Sequence, residues 1–91
     1  MILIITYDLR TAETSQADYK ELFEEIKRLG SWWHYLESTW LVSTSLTPDE
    51  AFERIRNLVR KGDHVLISPL VRPYQGWLPQ KAWDWIREHY D

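Results

Sequence analysis

Asp8 ends the apolar run Met1–Tyr7 with a carboxylate. A carboxylate in that place can coordinate a hard cation such as Mg²⁺, which takes one or two carboxylates and completes its shell with water and phosphate oxygens. It can equally be a turn residue, or the partner of Arg10. The densest basic run is Arg54, Arg56, Arg60 and Lys61. Such a run is either a patch that contacts phosphates or a solvated helix face. His34 and Glu37 stand three apart, a ligand spacing on a helix but not on a strand leading into a turn. His64 follows Asp63 and fits a surface pair, and His89 fits the last turn of a helix, where a cation complements the dipole. There is no nucleophile–base pair of defining spacing, no Gly-rich phosphate loop and no zinc pattern.

The elements that must position these groups can be read from periodicity. Met1–Tyr7 is apolar without alternation, which predicts a strand covered on both faces. Ser15 and Asp18 resemble a capping box. Tyr19, Leu22, Phe23, Ile26 and Leu29 follow at helical spacing, and Gly30 stops that helix. Aromatic and β-branched residues predict strands over 31–36 and 39–44, with a tight turn at Glu37-Ser38. Trp32 and Leu36 should then face opposite to Trp33 and Tyr35, and Trp40 and Val42 opposite to Leu41. Thr47, Pro48 and Glu50 predict a capped helix start. Its buried stripe is Ala51, Phe52, Ile55, Leu58 and Val59, and Gly62 is its stop. Asp63–Leu70 reads as a fourth strand whose Pro69, lacking a donor, belongs at an edge or bulge. Pro79 opens a last helix, with Ala82, Trp83, Ile86 and Tyr90 on one side.

The order β-α-β-β-α-β matches the split βαβ, ferredoxin-like unit, with a core over about residues 1–72 and an extension over about 73–91. Right-handed crossovers put both long helices on one sheet face, with the first strand between the third and fourth. The first and third strands are expected to run parallel. That would gather Asp8, Glu13, Asp18, Asp49 and Glu50 at one end, and Lys27, Arg28, Arg60 and Lys61 at the other.

The chain has 91 residues, which predicts one domain with a thin stability margin. It has no cysteine and a formal charge of -3. The first point excludes disulfides and thiolate metal sites. The second means that any grip on nucleic acid rests on a local patch, a metal ion or a partner. No apolar run approaches the ~20 residues of a membrane span, and the N-terminal run lacks the form of a signal peptide, so the expected location is the cytoplasm.

Three of the six tryptophans, Trp32, Trp33 and Trp40, fall within nine positions. Because Trp32 and Trp33 point to opposite sides of their strand, large rings also fall on the sheet face that the two helices leave open. Something must cover it, because burying one large aromatic side chain is worth roughly 2–3 kcal/mol. The same face of a second copy is the expected cover, with Trp32, Trp33, Tyr35 and Trp40 as the interface. The alternative is the C-terminal segment with Trp77, Trp83 and Trp85. Stacking of unpaired bases is a third use of such rings, but platforms of that kind interleave Lys and Arg. Between Gly30 and Leu46 the only basic side chain is His34.

The stretches "LIITYDLR", "RLGSWWHYLESTWLVST" and "GDHVLISPL" resemble the small CRISPR-associated adaptation proteins of the Cas-two type. The likeness is carried by Tyr7-Asp8, Gly30, Ser38-Thr39-Trp40 and Pro69-Leu70, and it spans about residues 2–75. The Trp-rich form is similar to the SinR-like members of that superfamily. The resemblance implies a ferredoxin-fold homodimer with facing sheets and a segment after the fourth strand that reaches toward the partner. It also implies that Asp8, with the Asp8 of a second copy, binds Mg²⁺ and acts on phosphodiesters of RNA or DNA. Arg10, Arg54, Arg56, Arg60 and Lys61 are the candidate nucleic-acid contacts. The alternative on the same scaffold is a non-catalytic interaction or regulatory module, working with CRISPR-type or toxin–antitoxin proteins. A small-molecule sensor would instead need a pocket between sheet and tail near Trp77.

Overall fold

The computed structural model describes residues 1–9 and 19–90. The strands are β1 (Ile2–Asp8), β2 (Ser31–Leu36), β3 (Thr39–Ser43) and β4 (His64–Pro69). The helices are α1 (Lys20–Lys27), α2 (Pro48–Ile55) and α3 (Gln80–His89). The sheet order is β2-β3-β1-β4, as the crossover rule predicts. This is the ferredoxin-like arrangement with a helix added at its C-terminus.

All neighbouring strands are antiparallel, including β1 and β3. The expected parallel run of the first and third strands is therefore incorrect. The reason is the number of reversals. Helix α1 returns the chain so that β2 runs with β1, and the Glu37-Ser38 turn then reverses β3. Ile2 consequently lies opposite Ser43, and Asp8 opposite His64. Helix α2 starts at the end far from Asp8 and delivers the chain back to it. Asp49 and Glu50 thus sit at the far end, while Arg60 and Lys61 sit at the Asp8 end, the reverse of the expected charge separation. Arg10, Glu13 and the Ser15–Asp18 capping pair lie outside the described residues.

Local chemistry explains the element ends. The Thr47 hydroxyl accepts from the Glu50 N–H at 3.1 Å, and the Glu50 carboxylate accepts from the Thr47 N–H at 2.9 Å. That reciprocal box fixes the start of α2. The helix is shorter than expected, because a 3-10 turn at Arg56–Leu58 replaces its last stretch. Phe52, to one side of the Ala51 and Ile55 face of α2, is exposed rather than part of the buried stripe. The chain is stopped by a turn in which Asp63 N–H donates to Arg60 O at 3.0 Å and the Asp63 carboxylate accepts from Arg60 N–H at 2.9 Å. Gly62 takes φ 93° there, a conformation that penalises a Cβ. At Gly30 the constraint is contact, since a Cβ would run into the Ser43 carbonyl.

Strand β1 feeds two cores. Leu3 and Ile5 face α1 and α2, where Leu22, Ile26, Trp40, Val42, Ala51 and Ile55 are buried with them. Ile2 faces the other way and is buried with Trp33, Leu41, Ala82 and Ile86, with Ile4, Leu70, Leu78 and Trp83 packed around them. The cover of the second face is thus the chain's own C-terminal segment. This corrects the expected interface. Trp33 is 4% exposed beneath α3, and Trp40 is 2% exposed on the opposite, helix-covered side. Neither can serve a second copy. Trp32 and Tyr35 stay 43% and 53% exposed.

Strands β2 and β4 are the sheet edges, and the β2–β3 ladder is irregular between Trp33 and Leu36. Among the described residues no helix is long and apolar enough to cross a membrane.

If α3 completes the core, Ile86→Ala should lower unfolding stability by about 2–4 kcal/mol, whereas Trp77→Ala, at a site almost wholly in solvent, should change it by less than about 0.5 kcal/mol. Urea melts of the two variants give the comparison.

Candidate functional site

Helix α3 covers only the half of its sheet face that is remote from Asp8. The uncovered corner is a shallow cleft of about 280 Å³ lined by Thr6, Tyr7, Asp8, His64, Val65 and Leu66. Directly opposed residues on antiparallel strands share a face. Asp8 with His64, and Thr6 with Leu66, are such pairs. Leu66 is 65% exposed there, so an apolar side chain stands beside the carboxylate. Thr39 Oγ donates to Thr6 Oγ at 3.1 Å, and Thr6 Oγ donates to Ser38 O at 3.3 Å, which ties this corner to the β2–β3 turn.

The opposite face of the same strand end is locked by aromatic packing. Trp40 Nε1 donates to the Tyr7 hydroxyl at 3.0 Å, and that hydroxyl donates to Glu37 O at 3.4 Å. The Tyr7 and Phe23 rings stack at 5.9 Å. Burial pushes the Tyr7 phenol above its ordinary value of 10.0; the Trp40 hydrogen bond opposes this and the nearby Glu37 charge adds to it. Next to this, Tyr19 OH donates to the Asp63 carboxylate at 3.1 Å, and the Arg60 guanidinium lies 4.7 Å from the Tyr19 ring centroid. These contacts tie the start of α1 to the turn before β4, next to Asp8 and His64.

The structure therefore gathers some predicted site residues and separates others. Asp8, Arg60 and Lys61 share one end of the domain. Arg54 is exposed on α2, and Arg56 is engaged by Glu53 at 2.9 Å, which leaves it less free for phosphates. The 3-10 turn takes Lys61 off the helix side it was expected to share with Arg54. Arg10 lies outside the described residues. His34 Nε2 meets the backbone oxygen of Glu37, not its carboxylate, at 3.1 Å, as a strand geometry requires. Among the described residues no three His, Asp or Glu side chains converge as a metal cage.

A second cleft was not foreseen. It holds about 430 Å³ at the β2 edge and is lined by Trp32, Trp33, His34, Tyr35, Lys81 and Trp85. The ammonium groups missing from the local sequence arrive from elsewhere in the chain. Lys27 Nζ, from α1, lies 5.2 Å from the Trp32 ring, and Lys81 Nζ, from α3, lies 4.9 Å from the Tyr35 ring. Only the sequence distance hid this arrangement. Trp77, where a sensor pocket was expected, stands almost wholly in solvent and lines neither cleft.

The raised Tyr7 phenol fixes a sign for alkaline pH. The unfolded tyrosine ionises near 10.0 while the folded one resists. Its contribution is complete below that pH and is lost as pH rises toward the folded value. Stability should fall as pH climbs above about 10, and Tyr7→Phe should flatten part of that fall in denaturant melts.

No protein-family model matches the chain. Among solved structures it is similar to the crystal structure of Streptococcus pyogenes Cas2 at pH 6.5, with a TM-score of 0.59 and 19% identity over 80% of this chain and 89% of that one. The likeness establishes a shared fold: the chain has a Cas2-like, ferredoxin-type architecture.

Proposed function

We propose that the chain is a nucleic-acid-associated protein of the Cas2 kind, which acts as a homodimer and hydrolyses phosphodiesters weakly at Asp8. The observation that carries this reading is the placement of Asp8. It is exposed at the rim of the uncovered corner, opposite His64 and at the end that also holds Arg60 and Lys61. A single carboxylate fits Mg²⁺ only as part of a shared shell, because the ion accepts one or two carboxylates together with water and phosphate oxygens. Asp8 from each of two copies would supply that pair. The exposed Leu66 beside it offers an apolar contact through which two corners could meet. When bound, the ion would lower the pKa of a coordinated water and polarise a phosphoryl oxygen. The protein's own part is positional. Asp8 anchors the site, and Arg60 and Lys61 attract the phosphate backbone toward it. His64, opposite Asp8, would pass a proton to the leaving oxygen as the P–O bond breaks, while the attacking water gives up a proton to solvent and takes that oxygen's place at phosphorus.

A second reading is a non-catalytic interaction or regulatory module, antitoxin-like in role, on the same scaffold. It is favoured by the large apolar side chains left exposed at Trp32, Tyr35, Leu66 and Trp77, which a binding surface would use.

Cleavage of short RNA and DNA oligonucleotides, with Mg²⁺ and with chelator, separates the two. The nuclease reading expects chelator to abolish cleavage and Asp8→Ala to lower it on the order of a hundredfold or more. Full cleavage by Asp8→Ala removes Asp8 from the mechanism. No cleavage by the unaltered protein leaves the regulatory reading. Light scattering should give twice the chain mass, and Leu66→Asp should shift that mass toward the monomer. An unaltered protein that is monomeric at every concentration refutes the shared-carboxylate site.

A further inference from the structure

The cleft at the β2 edge combines three features that point to one ligand chemistry. Its walls are aromatic, with Trp33 and Trp85 beside a Tyr35 ring that is half open to solvent. It holds the Lys81 ammonium and its lining has no carboxylate, so its charge complements an anion. A volume of about 430 Å³ lies within the range of pockets that enclose small molecules. A flat ring with an anionic group beside it describes a nucleotide.

We propose that this cleft binds one unpaired nucleotide, stacking its base on the aromatic wall and pairing its phosphate with Lys81. Stacking on such rings tolerates any base, because every base offers a π face. A duplex keeps its bases stacked on one another and cannot offer one without unpairing. The same chemistry comes from two sources, a free nucleoside monophosphate or an unpaired position in a strand. The site rests on the nucleic-acid reading above only for the choice between these sources, and it is separate from Asp8.

Tryptophan fluorescence provides the test. The unaltered protein is titrated with an eight-residue oligothymidylate, with adenosine 5′-monophosphate and with a blunt DNA duplex. Quenching is expected with the oligonucleotide and not with the duplex. Quenching by the monophosphate as well identifies a free nucleotide as sufficient, whereas a response to the strand alone identifies the strand as the ligand. Tyr35→Ser should raise the oligonucleotide Kd by about tenfold. Lys81→Gln should reduce the slope of log K against log salt by about 0.7. Both positions are exposed, so circular dichroism should show folded variants. Asp8→Ala should leave quenching unchanged even where cleavage is lost, which separates failure of this site from failure of the nuclease reading. The proposal is overturned if neither the oligonucleotide nor the monophosphate quenches, if the duplex quenches equally, or if both cleft variants bind like the unaltered protein.

Discussion

The fold depends on burying both faces of β1. A strand with Leu3 and Ile5 on one side and Ile2 and Ile4 on the other needs apolar partners above and below. Helices α1 and α2 supply one layer, as in any sandwich of this topology. The other layer comes from the segment between Leu70 and Tyr90, which folds back over the sheet and ends in α3. With 91 residues there is little surplus area, so losing either layer would remove a large share of the stabilisation.

The second layer also decides where chemistry can occur. It stops short of the upper sheet, leaving Thr6, Asp8, His64 and Leu66 as an open corner. Along the β2 edge it does the opposite and brings Lys81 and Trp85 against Trp33 and Tyr35. One helix thus leaves a carboxylate accessible at one place and completes an aromatic, cationic cleft at another. Neither feature is a property of the six-element ferredoxin unit alone.

Local rules made most of the elements legible. Thr47, Pro48 and Glu50 announced α2, the aromatic runs announced β2 and β3, and Pro79 announced α3. The strand order followed from crossover handedness. Three things were not legible, each for a physical reason. Strand direction depends on counting every reversal of the chain, and an error there moved Arg60, Lys61, Asp49 and Glu50 to the wrong ends. Cover by α3 and cover by a second copy bury similar rings, so composition could not choose between them for Trp33. Trp40 was assigned to the open face, although its alternation with Leu41 left room for the helix side, where it donates to Tyr7. Arg10 lies outside the described residues. The cations near the aromatic run come from Lys27 and Lys81, too far along the chain for any window to detect.

The two outer strands carry one more consequence. Pro69 removes a donor from the far part of β4, and the irregular step between Trp33 and Leu36 breaks the regularity of β2. A neighbouring molecule that tried to extend the sheet would meet an interrupted ladder on either flank. Growth into ribbons or fibrils is thereby discouraged at both margins, so crowded copies can touch through side chains without polymerising.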